Sequence, residues 1–181
     1  MSDEIASLLV SNETDLQNHC CGNDSIDTLV KNSFASQVCR QRDTYKVVYE
    51  DQTLGFFSWY LASVSLEESD EEISEFYDEK PQFGVLYIKF IAVDSDVQNN
   101  GIGTTILGYI VKEARNLEKK WPVRLIIFDA LRERIPWYEK RGFRVLLKTE
   151  LESQSETVKM YLDLMTEDEH KVLKAYSEQI A

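Results

Sequence analysis

Apolar positions recur along the chain with two periods, and the change of period marks the elements. Ile26, Leu29, Val30, Phe34 and Val38 fall at spacings of three and four, which predicts a helix over 25–38 capped by Asp24 or Ser25. The runs at 44–49 and 54–64 are rich in β-branched and aromatic residues on either side of polar Glu50-Asp51-Gln52-Thr53, which reads as an antiparallel hairpin. Residues 85–93, Val-Leu-Tyr-Ile-Lys-Phe-Ile-Ala-Val, are nearly all apolar and predict a central strand buried on both faces. Helical spacing then returns at Ile102, Ile106, Leu107, Ile110, Val111 and Ala114, within 102–117, until Trp121-Pro122 breaks it ahead of a second buried strand at 123–128. Strand, helix and strand of these lengths form a βαβ unit, whose strands run parallel. A short helix over 132–141 closed by Gly142, strands at 143–147 and 157–162, and a helix over 166–179 complete the pattern. Thr166 with Glu169 fits a capping box for the last helix, whose apolar side is Val172, Leu173 and Tyr176. The fold class is therefore α/β with a mixed sheet.

Composition narrows this picture. The chain has 181 residues, 43% of them apolar, which suits one domain over 1–181 with a core at 45–162. Asp and Glu outnumber Lys and Arg by 32 to 20, a formal charge of -12 that repels a phosphate backbone. Nucleic acid is disfavoured as a partner, and tRNA stays open only if the basic residues share a face. Acidic side chains crowd 67–79, which reads as a solvated insertion. Neither a signal peptide nor a membrane span is evident, and the three cysteines, Cys20, Cys21 and Cys39, fit a reducing compartment, so the expected location is the cytoplasm. His19 and His170 stand far apart without zinc-ligand spacing, so no metal is expected.

The segment with most chemical content is Gln98-Asn99-Asn100-Gly101-Ile102-Gly103-Thr104, between the strongest strand and the strongest helix. Two glycines let the backbone approach a ligand, and the first amides of the helix, with its dipole, make a site for phosphate or pyrophosphate. An ordinary tight turn is the competing reading. A third glycine at dinucleotide spacing and the Lys-Ser/Thr of a P-loop are both missing, so neither a nicotinamide nor a nucleoside triphosphate is supported.

The turn resembles the Gln/Arg-x-x-Gly-x-Gly/Ala signature of the GNAT acetyltransferases, with Gln98, Gly101 and Gly103 in place. Phe90-Ile91-Ala92-Val93 with Asp94-Ser95 is similar to that family's fourth strand and its exit, and Trp137-Tyr138-Glu139-Lys140-Arg141-Gly142-Phe143 to its aromatic-Tyr-x-x-x-Gly-Phe motif. The likeness covers most of 45–162. Weaker matches at Cys21-Gly22-Asn23, Ile26-Asp27, Asp129-Ala130-Leu131 and Lys159-Met160-Tyr161-Leu162 resemble the branch of bacterial toxin acetyltransferases that modify charged tRNA. Where many relatives place a cofactor-binding asparagine, this chain reads Asp129-Ala130-Leu131-Arg132, a departure from the pattern.

The resemblance implies a six- to seven-stranded, mostly antiparallel sheet with helices on both faces and a splayed central parallel pair. It implies acetyl-CoA as co-substrate, its pyrophosphate on Gln98, Asn99, Asn100, Gly101, Ile102, Gly103 and Thr104, and its pantetheine arm along Ile91, Ala92 and Val93. The Ile91 amide is the candidate oxyanion donor, and Tyr138 the candidate acid for the departing thiolate, with plain ring packing as its competing role. Glu67 and Glu68 are weak candidates for a general base, and Asp94 is expected to shape the turn. The cysteines read as ordinary thiols.

The leading functional reading is acetyl transfer to a primary amine of a small molecule, peptide or protein by direct attack in a ternary complex. The alternatives are a toxin-type acetyltransferase of aminoacyl-tRNA and a silent acyl-CoA-binding module. A homodimer is compatible with the sequence.

Overall fold

A computed structural model describes residues 5–65 and 82–180. The acidic run at 67–79, with Glu67 and Glu68, lies outside them. Seven strands form one sheet in the order β1-β2-β3-β4-β5-β7-β6, with β4 and β5 parallel. These are β1 (Ala6–Leu9), β2 (Asp43–Tyr49), β3 (Gln52–Ser65), β4 (Gln82–Val93), β5 (Val123–Leu131), β6 (Arg144–Val145) and β7 (Thr157–Asp163). The residues group into two compact units, Met1–Leu61 with Tyr87–Glu113, and Ala62–Leu86 with Ala114–Ala181.

In the first unit, β1 pairs antiparallel with β2, and β2 with β3. The hairpin loop is tighter than the four polar residues predicted. Only Glu50 and Asp51 lie between the strands, both with positive φ (46° and 64°), the geometry whose twist suits a two-residue hairpin. The predicted helix at 25–38 is two helices, α2 (Asp24–Lys31) and α3 (Ser33–Val38), preceded by α1 (Thr14–Gln17). The cap of α2 is Asn23, not Asp24 or Ser25, because Asn23 is extended and its Oδ1 accepts from the Ile26 amide. Helix α4 (Ile102–Leu117) has the predicted limits. The core here joins Val10, Leu16, Val30, Phe56, Phe90 and Ala92. Burial of each larger side chain contributes about 1.5–3 kcal/mol, enough to hold the N-terminal helices to the sheet.

In the second unit, β5 is longer than its apolar run because Asp129–Leu131 continue the ladder to β7, from Leu125 opposite Asp163 to Leu131 opposite Thr157. Residues 132–141 divide into a 3-10 turn (Arg132–Arg134) and α5 (Ile135–Glu139), and Gly142 follows at φ 86°. The strand predicted at 143–147 is only β6, since the chain turns after Leu147 into α6 (Thr149–Glu152). The last helix, α7 (Glu167–Ile180), starts on the predicted capping box: Glu169 accepts from the Thr166 amide at 2.7 Å and its own amide donates to Thr166 Oγ1 at 3.3 Å. Val172 on α7 is exposed, so the apolar side predicted there is not covered at that position.

Candidate active site

In the first unit, β4 delivers the chain to the glycine turn. Ala92 is buried, whereas Ile91 and Val93 are half-buried. Gly55 on β3 lies against this end of β4, where a Cβ would stand 2.3 Å from the Ala92 carbonyl oxygen. The Asp94 amide donates to the Leu54 carbonyl at 2.9 Å, and Asp94 Oδ1 accepts from the Asp96 amide at 3.1 Å, starting a 3-10 turn over Ser95–Val97. Asp94 thus shapes the exit, as expected. Asn99 (φ 64°) and Gly101 (φ 82°) then take left-handed conformations, and α4 begins at Ile102. Nothing lies within 4 Å of a Cβ built on Gly101, so its dihedral, not crowding, calls for glycine. A turn of this shape feeding a 16-residue helix offers backbone amides to an anion.

The side chain of Gln98 has a structural task. Its Nε2 donates to the carbonyls of Cys21 (2.7 Å) and Val93 (3.0 Å), tying the N-terminal segment to the strand that enters the turn. The Ser95 amide adds a second tie, to the Cys20 carbonyl at 2.9 Å. Behind these ties sits His19, 5% exposed, its ring edge-on to Phe56. Nδ1 faces Asp94 Oδ2 at 3.7 Å and Nε2 faces Asp27 Oδ1 at 4.0 Å. Burial lowers the His19 pKa against the pull of Asp27 and Asp94, which keeps the ring neutral at pH 7. Burial also pushes the Cys21 thiol up to about 12, aided by its hydrogen bond to Asp27, so Cys21 is no nucleophile. The sequence pattern concealed this cluster because His19, Asp27 and Asp94 are brought together by the packing of α2 on the sheet, not by spacing in one element.

In the second unit, Tyr138 stands on α5 among aromatic rings. Phe128 lies 4.4 Å away between centroids, Trp137 4.8 Å and Phe143 6.0 Å. Burial pushes its phenol up to about 12, opposed by Arg134 and Arg141, so the group carries its proton throughout the neutral range. Arg141 is fixed over the Trp137 ring at 3.8 Å and donates to the Trp137 carbonyl at 2.7 Å. The segment in which relatives carry an asparagine has other duties here. Asp129 pairs with Lys159 Nζ at 2.6 Å, and the Arg132 guanidinium gathers the carbonyls of Glu150, Leu151, Ser153 and Ser155, holding the α6 loop.

Residues 42–145, more than half of the chain, match the model of the acetyltransferase (GNAT) domain, and the chain belongs to that family. By class it is an acetyltransferase of the GNAT type. No curated protein matches the sequence. Among solved structures, a bacterial toxin aligns over 98% of this chain and 97% of its own at 17% identity, with a TM-score of 0.73. AtaT complexed with acetyl-methionyl-tRNAfMet aligns over 98% and 100% at 13% identity and 0.72. A tyrosine-to-phenylalanine mutant of KacT aligns over 95% and 98% at 13% identity and 0.73. At such identities the likeness establishes the fold, which extends on both sides of 42–145. Among the described residues no helix is long and apolar enough to cross a membrane.

Proposed function

We propose that the chain, as one catalytic domain over 1–181, transfers the acetyl group of acetyl-CoA to a primary amine of a small molecule, peptide or protein by direct attack. The observation that carries this reading is the backbone at the entry to α4, where Asn99 and Gly101 hold positive φ immediately after β4 and its Asp94-capped exit. Residues 98–104 supply amides to the pyrophosphate, and Ile91 to Val93 pair with the pantetheine arm. The Ile91 amide stabilises the oxyanion as the amine attacks, worth about 2–4 kcal/mol for one well-aimed donor. When the tetrahedral intermediate collapses, the carbon–sulfur bond breaks and Tyr138 gives its proton to the thiolate. The raised pKa supports this role by keeping the donor protonated, and the two guanidiniums offset the charge left on the phenolate. The free cysteines support a cytoplasmic location.

Calorimetric titration with acetyl-CoA, followed by thiol release across amines, peptides and charged tRNA, tests the reading. Micromolar binding with release on one acceptor class is the expected result. Binding without release on any acceptor would instead favour the silent acyl-CoA-binding module.

A second reading, acetylation of aminoacyl-tRNA, is favoured by the full-length likeness to AtaT complexed with acetyl-methionyl-tRNAfMet. The charge of -12 argues against it, and two of the arginines that would have to face RNA are already engaged, Arg115 with the Leu164 carbonyl and Arg132 with the α6 loop. Release on charged tRNA alone, falling steeply with salt, would establish it.

A further inference from the structure

We propose that His19, Cys21 and Asp27 form a binding site for one divalent cation of the zinc class. One donor atom from each residue lies within 4.8 Å of the other two, in a place where His19 and Asp27 are buried and Cys21 partly so. His19 Nε2 is buried without a hydrogen-bond partner and stands 4.0 Å from Asp27 Oδ1. On the other side of the ring Asp94 Oδ2 stands 3.7 Å from Nδ1. With Nε2 bound to the ion, the proton moves to Nδ1 and Asp94 becomes its outer partner, the usual arrangement of a metal-bound histidine. Imidazole, thiolate and carboxylate together select zinc over magnesium or calcium, which take oxygen donors alone.

The geometry asks for a modest contraction. Tetrahedral zinc with bonds of about 2.0–2.3 Å sets its donors roughly 3.3–3.8 Å apart, so a pair at the 4.8 Å limit of the cluster closes by about 1–1.5 Å. Binding exchanges the Cys21 thiol proton for a sulfur–metal bond, and the proton leaves to the buffer. The carbonyls of Cys20 and Cys21 receive the bonds from Ser95 and Gln98, so an ion here would fasten the N-terminal segment at the base of the glycine turn. The site is independent of the acetyl-transfer chemistry and is tested without it.

The full chain, stripped with a chelator, is titrated with zinc against a chromophoric competitor and with cobalt by absorption. The expected result is one ion per chain, a thiolate-to-cobalt charge-transfer band, release of one proton, and a thermal midpoint that rises with zinc. Cys21→Ser removes the charge-transfer band and weakens zinc affinity at least tenfold, whereas Asp27→Asn weakens the affinity to a similar extent and keeps the band. Asp94→Asn weakens it by about tenfold while keeping the band, the behaviour of a positioning residue. Cys39→Ser, an exposed thiol elsewhere, binds as the parent does. Circular dichroism confirms that each variant is folded, and the near-isosteric Cys21→Ser keeps the test decisive if Asp27→Asn is not. Absence of zinc binding at micromolar ion, or unchanged binding in folded Cys21→Ser, would overturn the site and leave a hydrogen-bonded buttress completed by water.

Discussion

The glycine turn and the surroundings of Tyr138 are built from opposite materials. The turn is backbone: two residues at positive φ, a capped 3-10 exit, and the amides of a helix start, with side chains such as Gln98 and Asp94 spent on holding the shape. Around Tyr138 the side chains are the structure, three aromatic rings and a stacked guanidinium that set the proton affinity of one oxygen. A site assembled from main chain is sensitive to any added Cβ and indifferent to most changes of polarity. One assembled from rings is sensitive to the loss of a single atom and tolerant of shape-conserving exchange.

That contrast is broken or sharpened by a graded set of substitutions. The largest effect falls on Tyr138→Phe, which keeps the ring contacts and removes the proton. Turnover drops by about 10²-fold or more with stability and acetyl-CoA affinity nearly unchanged, as read by steady-state rates beside calorimetry. An unaltered rate would remove Tyr138 from the chemistry and leave it a packing residue. Next comes Gly55→Ala, whose methyl meets the Ala92 carbonyl oxygen. Urea denaturation should register a loss of about 3 kcal/mol, together with weaker acetyl-CoA binding if Ala92 and Val93 carry the cofactor. Gly101→Ala has open space for its methyl but the wrong dihedral, so the cost is smaller, about 1–2 kcal/mol, and appears chiefly in cofactor affinity.

A pH effect follows from two partly buried phenols. Burial pushes Tyr138 and Tyr45 up to about 12, whereas the unfolded chain ionises tyrosine near 10. The stability held in this difference is intact below pH 10 and is lost as pH rises from 10 through 12, because the unfolded state sheds its protons first. Denaturation midpoints collected across that range should fall, and less so in Tyr138→Phe. The smallest expected effect is that of Thr166→Ala, which removes one half of the capping box of α7 and costs about 1 kcal/mol.

Much of this architecture was legible in the pattern of residues. Helix α4 came out with its true limits because sixteen residues of regular spacing between Gly101 and Trp121-Pro122 leave little else to form. The capping box at Thr166 is a local interaction, so four residues suffice to identify it. Strand β1 escaped notice because an exposed four-residue edge strand has no apolar alternation of its own and exists only through its ladder to β2. The division of the helix at 25–38 was likewise invisible, since apolar spacing carries across Asn32 even though the backbone there leaves the helical region. In the candidate site, the glycine turn and Tyr138 were named from motifs. The partners outside those motifs, Gly55 and Cys21 at the turn and Phe128 beside Tyr138, became visible only when the chain was folded.

Gln98 shows what a signature can record. Two carbonyl oxygens, from Cys21 and Val93, face one side chain, and both require a donor. Glutamine and arginine, the two residues the family pattern permits at this place, share the ability to present N–H groups from a planar head, whereas a carboxylate of the same length would set its charge against both oxygens. The alphabet allowed at such a position is then a statement about the scaffold's need for a crosslink, so a search that ranks candidate enzymes by this residue is selecting for a well-braced loop before it selects for any substrate.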